Sequence, residues 1–352
     1  MIRLAWPDLG DEELAAVAEV LESGQLTMGP KVAEFEGELA RACEVEHAVA
    51  VSSGTAALHL AVLALGIGPG DEVIVPAYTF PATANVVALA GARPVLADVD
   101  PETMNVRADA VAGAVTARTR AVLVVHLFGR PARWEEIEAA VPERVELVED
   151  AAGALGARRR GRACGGLGRV ACLSFHPRKI VTTGEGGAVT THDGELARAI
   201  RRLRHHGWHD ADMPAPGLNY RLSDLLCAVG VPQLRRLEAL LAGRERLAAA
   251  YDRRLGESVV LPATDDGDRH GRQAYVVQLE RRDDALAALR DAGIQAQIGT
   301  YALHHLGAYR DQGSFPGADT AFERALALPF HNRLTEDEVE RVAAVLTSVV
   351  SE

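Results

Sequence analysis

Lysine is nearly missing from this chain. Of its 37 basic side chains only two are lysines, Lys31 and Lys179, and all the others are arginine. Cysteine is scarce as well: Cys43, Cys164, Cys172 and Cys227 fall at irregular spacing with no C-x-x-C pair, which excludes a disulfide framework and gives no zinc motif. No apolar run approaches the ~20 residues of a membrane span, and the N-terminal segment Met1–Asp8 has no apolar signal region. The balance of positive charge is also lacking. A net charge of -12 argues against a nucleic-acid binder, which carries a basic footprint. A reducing, cytoplasmic setting with no membrane partner is the expectation. No Gly-x-Gly-x-x-Gly follows the first predicted strand, which speaks against a nicotinamide dehydrogenase.

What is present is an ordinary globular composition, 48% hydrophobic and 24% charged, over 352 residues. That length exceeds one typical core. Helical spacing of apolar residues is expected from Asp11 to about Gly24 and from Pro30 to Cys43. Short apolar runs then alternate with helical stretches: Ala48–Val51, Val73–Val75, Pro94–Ala97, Ala121–Val125, Val145–Val148 and Val170–Phe175. This alternation predicts an α/β fold, a mostly parallel sheet flanked by helices. After a strand ending near Thr191 come a helix from Asp193 to Arg204, a polar loop from His205 to Gly217, and a helical region from Leu222 to Leu255 broken near Pro232 and Gly243. Strands near Gln273–Leu279 and helices near Asp283–Ala292 and Thr335–Val349 predict a smaller α+β domain. The expected division is residues 1–240 and 241–352. The cluster from His205 to Asp210 lacks the helical His-x-x-x-His spacing of a zinc enzyme and reads as a solvated loop; no metal site is expected.

A composition that has replaced lysine almost everywhere keeps one in Ser174-Phe175-His176-Pro177-Arg178-Lys179, just before Thr183-Gly184-Glu185-Gly186-Gly187. Arginine stays charged at any working pH, whereas an amine can lose its proton and condense with an aldehyde. The commonest protein use of that chemistry is pyridoxal phosphate, which needs four things: an amine, an acid against its ring nitrogen, a phosphate cradle and a wall for its ring. Asp150 is the candidate acid, at the end of the apolar run Val145–Val148 and before Ala151-Ala152. Carboxylates at strand C-termini sit where open α/β sheets bind ligands, although an Asp opening a turn gives the same pattern. The cradle candidate is Ser52-Ser53-Gly54-Thr55-Ala56, between a predicted strand and a predicted helix, where unpaired N–H groups favour phosphate; the sequence also suits a plain N-cap. Ser174 adds a hydroxyl. Phe80, in a chain only 5% aromatic, is the candidate wall, with core packing as its alternative.

Taken in order, Gln25–Pro30, Ser53–Ala57, Gly68–Val73, Tyr78–Asn85, Glu149–Ala152, Ser174–Gly187 and Leu218–Arg221 resemble the DegT/DnrJ/EryC1/StrS sugar aminotransferases, a branch of the fold type I pyridoxal phosphate enzymes, over essentially the whole chain. The resemblance implies that Lys179 bonds covalently to the cofactor and moves the proton, that Asp150 pairs with the ring nitrogen, that Gly54, Thr55 and Ser174 hold the phosphate, and that Phe80 stacks on the ring. It further implies that Asn219 reaches the phosphate of a second subunit, so that the working unit is a homodimer. The implied reaction moves an amino group from L-glutamate to a nucleotide-linked keto-sugar. A keto-cyclitol acceptor, or a pyridoxal phosphate-binding regulatory protein without turnover, are the alternatives. One position departs from the pattern: three residues after the aspartate the family often has Gln or His near the ring hydroxyl, and here stands Gly153.

Overall fold

Apolar runs of three to six residues, too short for helices and largely free of polar alternation, are suited to strands covered on both faces. In the computed structural model they form one seven-stranded sheet. The structure describes residues 1–310 and 312–351, the side chain of Ser351 excepted. The strands in chain order are β1 (His47–Val51), β2 (Glu72–Pro76), β3 (Arg93–Ala97), β4 (Thr119–Val125), β5 (Glu146–Asp150), β6 (Val170–Ser174) and β7 (Gly187–Thr191). Their spatial order is β1-β7-β6-β5-β4-β2-β3. Only β7 runs antiparallel to its neighbours, pairing Gly187 with Ser174 on one side and with Val51 on the other. The C-terminal ends of β1, β5 and β6 therefore open on one edge of the sheet, beside the start of β7.

The helices are α1 (Asp11–Ser23), α2 (Pro30–Ala42), α3 (Gly54–Ala64), α4 (Ala82–Leu89), α5 (Ala108–Ala114), α6 (Trp134–Ala139), α7 (Gly194–Leu203), α8 (Asp224–Arg235), α9 (Leu237–Leu255), α10 (Arg282–Asp291), α11 (Pro316–Arg324) and α12 (Glu336–Ser351). Two apolar cores lie on opposite faces of the sheet. Val49 and Val51 join residues of α3, α4 and α7, while Ala48 and Ala50 join residues of α2, α5, α6 and α8. This is the period-2 alternation of a strand, with both faces covered. Local capping fixes where helices begin: Asp193 Oδ1 accepts from the N–H groups of Glu195 and Leu196, and Ser223 Oγ from that of Leu226.

A third core is built from Tyr251, Leu289, Val342 and Leu346 under a small antiparallel sheet whose middle strand, Ala325–Leu328, pairs with Tyr275–Gln278 and with Gln297–Ile298. Ile2, at the other end of the chain, belongs to this core and bridges Ile294. The chain thus threads back to its own C-terminal part, which apolar periodicity does not reveal. Among the described residues no helix is long and apolar enough to cross a membrane, and all four cysteines are buried as free thiols.

The helical region from Leu222 to Leu255 breaks elsewhere than expected. Pro232 lies inside α8 and Gly243 inside α9, and the break is at Arg236, with φ -104° and ψ 20°. The chain leaves the helix four residues after the proline, one turn downstream. At Gly243 a side chain is excluded by packing, since a Cβ would stand 2.7 Å from Asn332 Oδ1.

Candidate active site

The turn between β6 and β7 carries Lys179, whose backbone N–H donates to the carbonyl of His176 at 2.8 Å. The two lysines of the chain sit in opposite surroundings. Lys31 Nζ pairs with Glu19 at 3.0 Å and Glu34 at 3.2 Å, and the Glu19 contact leads in raising its pKa. The Lys179 amine has no hydrogen-bond or ion-pair partner among the described residues. Burial lowers its pKa; nearby Asp150 opposes that, and Arg178 adds to it. A lysine whose charged form is disfavoured is one poised to act as a neutral amine.

Asp150 ends β5 and is 5% exposed. Its Oδ2 accepts from Thr83 Oγ1 at 2.8 Å and its Oδ1 from the N–H of Ala152 at 3.2 Å. Burial pushes its pKa up, against the pull of those two donors and of Lys179. Each oxygen keeps a free lone pair, so the carboxylate can still receive a ring N–H. The sequence reading missed Thr83. Its signal was faint: a hydroxyl one helical turn after Thr79, on the first turn of α4, where a small polar residue looks like any helix start.

The phosphate cradle expected at Gly54 and Thr55 is the N-terminus of α3. Ser53 caps it, its Oγ accepting from Ala56 N–H at 3.0 Å, while the Gly54 and Thr55 N–H groups have no partner among the described residues. Those free donors and the positive end of the helix dipole attract an anion. Gly54 is required because its backbone meets Ser174: a Cβ there would lie 2.8 Å from Ser174 Cβ and 3.2 Å from its Oγ. The structure thus brings Gly54, Thr55 and Ser174 together, next to Lys179 and Asp150. Phe80 is 62% exposed, which rules out the core-packing alternative. It stands three residues before Thr83, with the Tyr301 ring 6.4 Å from its own. Asn219 is exposed, and its amide has no side-chain partner among the described residues. Its segment lies against the cradle strand, with Ser52 N–H donating to the Tyr220 carbonyl at 2.8 Å.

Glu149, beside Asp150, organises the loop behind the site. Its Oε1 accepts from the N–H groups of Leu167 and Gly168 (2.6 and 2.9 Å), and its Oε2 from Gly165 N–H at 2.7 Å and His126 Nε2 at 3.0 Å. His126 Nδ1 accepts from Ala132 N–H at 2.9 Å, so its proton sits on Nε2. Cys164 completes this buried group. With every Glu149 lone pair directed at a donor, the cluster is a scaffold. A second group, His304, His305 and Asp319, is a hydrogen-bonded cluster in which both imidazoles meet one carboxylate oxygen, at 2.8 and 2.7 Å.

A recessed amine of lowered pKa, a buried carboxylate and an open helix N-terminus at one sheet edge fit the donor set that pyridoxal phosphate requires. Residues 7–347 match the DegT/DnrJ/EryC1/StrS aminotransferase family. The chain belongs to that family. It is a pyridoxal phosphate-dependent aminotransferase. It is 39% identical to the GDP-perosamine synthase of Caulobacter vibrioides, covering 99% of this chain and 98% of that one. The crystal structure of the aminotransferase TlmJ from Streptoalloteichus hindustanus superposes with a TM-score of 0.96 at 38% identity, covering 100% of this chain and 99% of TlmJ. Spr1654 from Streptococcus pneumoniae in its PLP-form gives a TM-score of 0.95 at 28% identity, over 99% of this chain and 98% of that one. The family members thus share with this chain the architecture that sets the sheet edge and its loops.

Proposed function

We propose that this aminotransferase moves an amino group from L-glutamate to a keto-sugar carried on a nucleotide, in a homodimer whose two sites are shared. The observation that carries the reading is the placement of Lys179 and Asp150 at one sheet edge, one an amine without a partner and the other a carboxylate held by Thr83. The GDP-linked sugar in the name of the Caulobacter relative supports the acceptor class. The exposed Asn219, on a segment tied to the cradle strand, supports a contribution from one subunit to the other.

When bound, pyridoxal phosphate supplies an electron sink for the pair released as a substrate C–H bond breaks. Most of the residues that would hold it lie in 1–240, and residues 241–352 form the smaller C-terminal domain. Gly54 and Thr55 N–H and Ser174 Oγ would bind the phosphate, and Phe80 would stack on the ring. Asp150 holds a proton on the ring nitrogen, and Thr83 fixes the carboxylate that does so. The Lys179 Nζ, whose pKa burial lowers, would take the proton from the substrate carbon as general base and hold it for return as general acid. Donor and acceptor would use the same residues in opposite order.

Borohydride reduction of the holoenzyme followed by peptide mapping tests the lysine: the pyridoxyl group is expected on Lys179, and its appearance on Lys31 overturns the assignment. The acceptor is tested by loading the enzyme with glutamate and following the return of its visible absorbance. Rapid return with nucleotide keto-sugars is expected. Return with simple α-keto acids other than 2-oxoglutarate, and with no nucleotide keto-sugar, would overturn the acceptor.

A further inference from the structure

Pyridoxal phosphate is a flat ring with substituents in fixed relation. The aldehyde carbon lies opposite the ring nitrogen, the phosphate arm is on one side of it and a phenolic oxygen on the other. Under the reading above, Asp150 takes the nitrogen, Lys179 the aldehyde carbon, and the α3 N-terminus with Ser174 the phosphate. Three attachments leave no freedom of rotation. The phenolic edge must then face away from Ser174, between the loop that follows Asp150 and the residues at Lys179.

That loop contains Gly153, which offers no side chain. The space its side chain would enter is filled from the C-terminal part of the chain: a Cβ at Gly153 would lie 3.2 Å from Gln273 Oε1, 3.4 Å from its Cγ and 3.5 Å from its Cβ. The other end of the same carboxamide points to the residue before Lys179, with Gln273 Nε2 3.5 Å from the Arg178 carbonyl. This distance is at the long limit of a hydrogen bond, so the NH₂ group retains donor capacity for a stronger acceptor. The segment that carries Gln273 is held two residues earlier, where Gly271 N–H donates to the Gly129 carbonyl at 2.8 Å. Gln297, also from the C-terminal part, accepts from Arg178 Nη1 at 2.7 Å and steadies the same turn. One carboxamide therefore runs from beside Gly153 to the Arg178 carbonyl, one peptide bond from Lys179.

We propose that the Gln273 carboxamide donates a hydrogen bond to the phenolic oxygen of the cofactor, supplying from residues 241–352 the contact that Gly153 cannot make. This rests on the assignment of Lys179, Asp150 and the α3 cradle. The phenolic oxygen is an anion that competes for the proton on the nitrogen joining the cofactor to Lys179. A donor to that oxygen stabilises the anion and loosens the proton, so Gln273 lowers the pH at which it leaves. Other charges on that nitrogen are those of Asp150 and Arg178, with His176 and Glu185 on the same turn, and a change at Gln273 leaves all of them in place.

The test is a pH titration of the visible absorbance of the holoenzyme, without substrate. Gln273→Ala is expected to raise the midpoint by about one pH unit, the size of one hydrogen bond to a charged oxygen. Gln273→Glu should raise it further, by placing negative charge at the anion. Gly153→Gln added to Gln273→Ala should bring the midpoint back toward the wild-type value, because a side chain at 153 enters the space that Gln273 vacates. A wild-type midpoint in both Gln273 variants overturns the proposal, as does weakened cofactor retention with no change in midpoint, which is what a purely structural hold on Arg178 would give. Absence of the visible band from the wild-type enzyme would instead defeat the assignment of Lys179, a separate result.

Discussion

Thr83 donates its hydroxyl proton to Asp150 across 2.8 Å, and both side chains are buried, at 1% and 5% exposure. The bond joins the first turn of α4 to the end of β5, two elements adjacent only through the fold. It keeps the carboxylate in one orientation and favours its ionised form. Thr83→Val retains the shape and removes the donor. Turnover is expected to fall roughly 10-fold, in line with a hydrogen bond to a charged group, while cofactor retention changes little. Steady-state kinetics alongside cofactor dialysis measures both. Equal losses in the two would mean that Thr83 serves binding alone.

Asp150→Asn removes the charge itself. The α3 N-terminus and Ser174 remain to hold phosphate, so much of the bound cofactor should be kept. Turnover should drop by about 10²-fold or more, the usual cost of losing a directed electrostatic contact. Half-reaction rates with glutamate give the measurement, and near-normal rates would remove Asp150 from the chemistry.

Lys179 leaves a mark on stability in the cofactor-free protein. Burial lowers its pKa from 10.5 in the folded state, so between the lowered value and 10.5 the unfolded chain binds more protons than the folded one. Stability therefore rises with pH across that window. Lys179→Met should flatten this alkaline rise and be more stable than the parent at neutral pH. Urea unfolding at a series of pH values reads the slope, and a parent protein with no rise would contradict the burial of the amine.

Subunit mixing tests the shared site. Lys179→Ala and an impaired Asn219→Ala variant, inactive or weak alone, should recover activity when mixed, because one site of each hybrid dimer is intact. No recovery with demonstrated subunit exchange would place each site within one chain.

The chemistry was legible wherever it depends on residue type and neighbours along the chain. A lysine kept in an arginine-rich composition, a carboxylate ending an apolar run and a serine-glycine-threonine step before a helix single out Lys179, Asp150 and the α3 N-terminus as candidates without coordinates. The strands were legible for the same reason, since each is a short apolar run between turn residues. Thr83 and Gln273 carry no such local signal. Thr83 is placed by the fold, which brings the first turn of α4 to the end of β5, and Gln273 by the return of the segment before Tyr275 to Gly153 over a sequence separation of 120 residues. The proline in α8 shows the same limit: helix interiors disfavour it, yet packing keeps the helix until Arg236.

By itself the sequence determined the fold class, because that follows from periodicity, and it nominated Lys179 and Asp150 as amine and acid from side-chain chemistry. Tertiary structure decided which of two lysines is paired with carboxylates and which is left bare, which hydroxyl holds Asp150, and which side chain fills the gap at Gly153. These are matters of distance between residues remote in sequence, and only the closed sheet with its returning C-terminal part sets those distances.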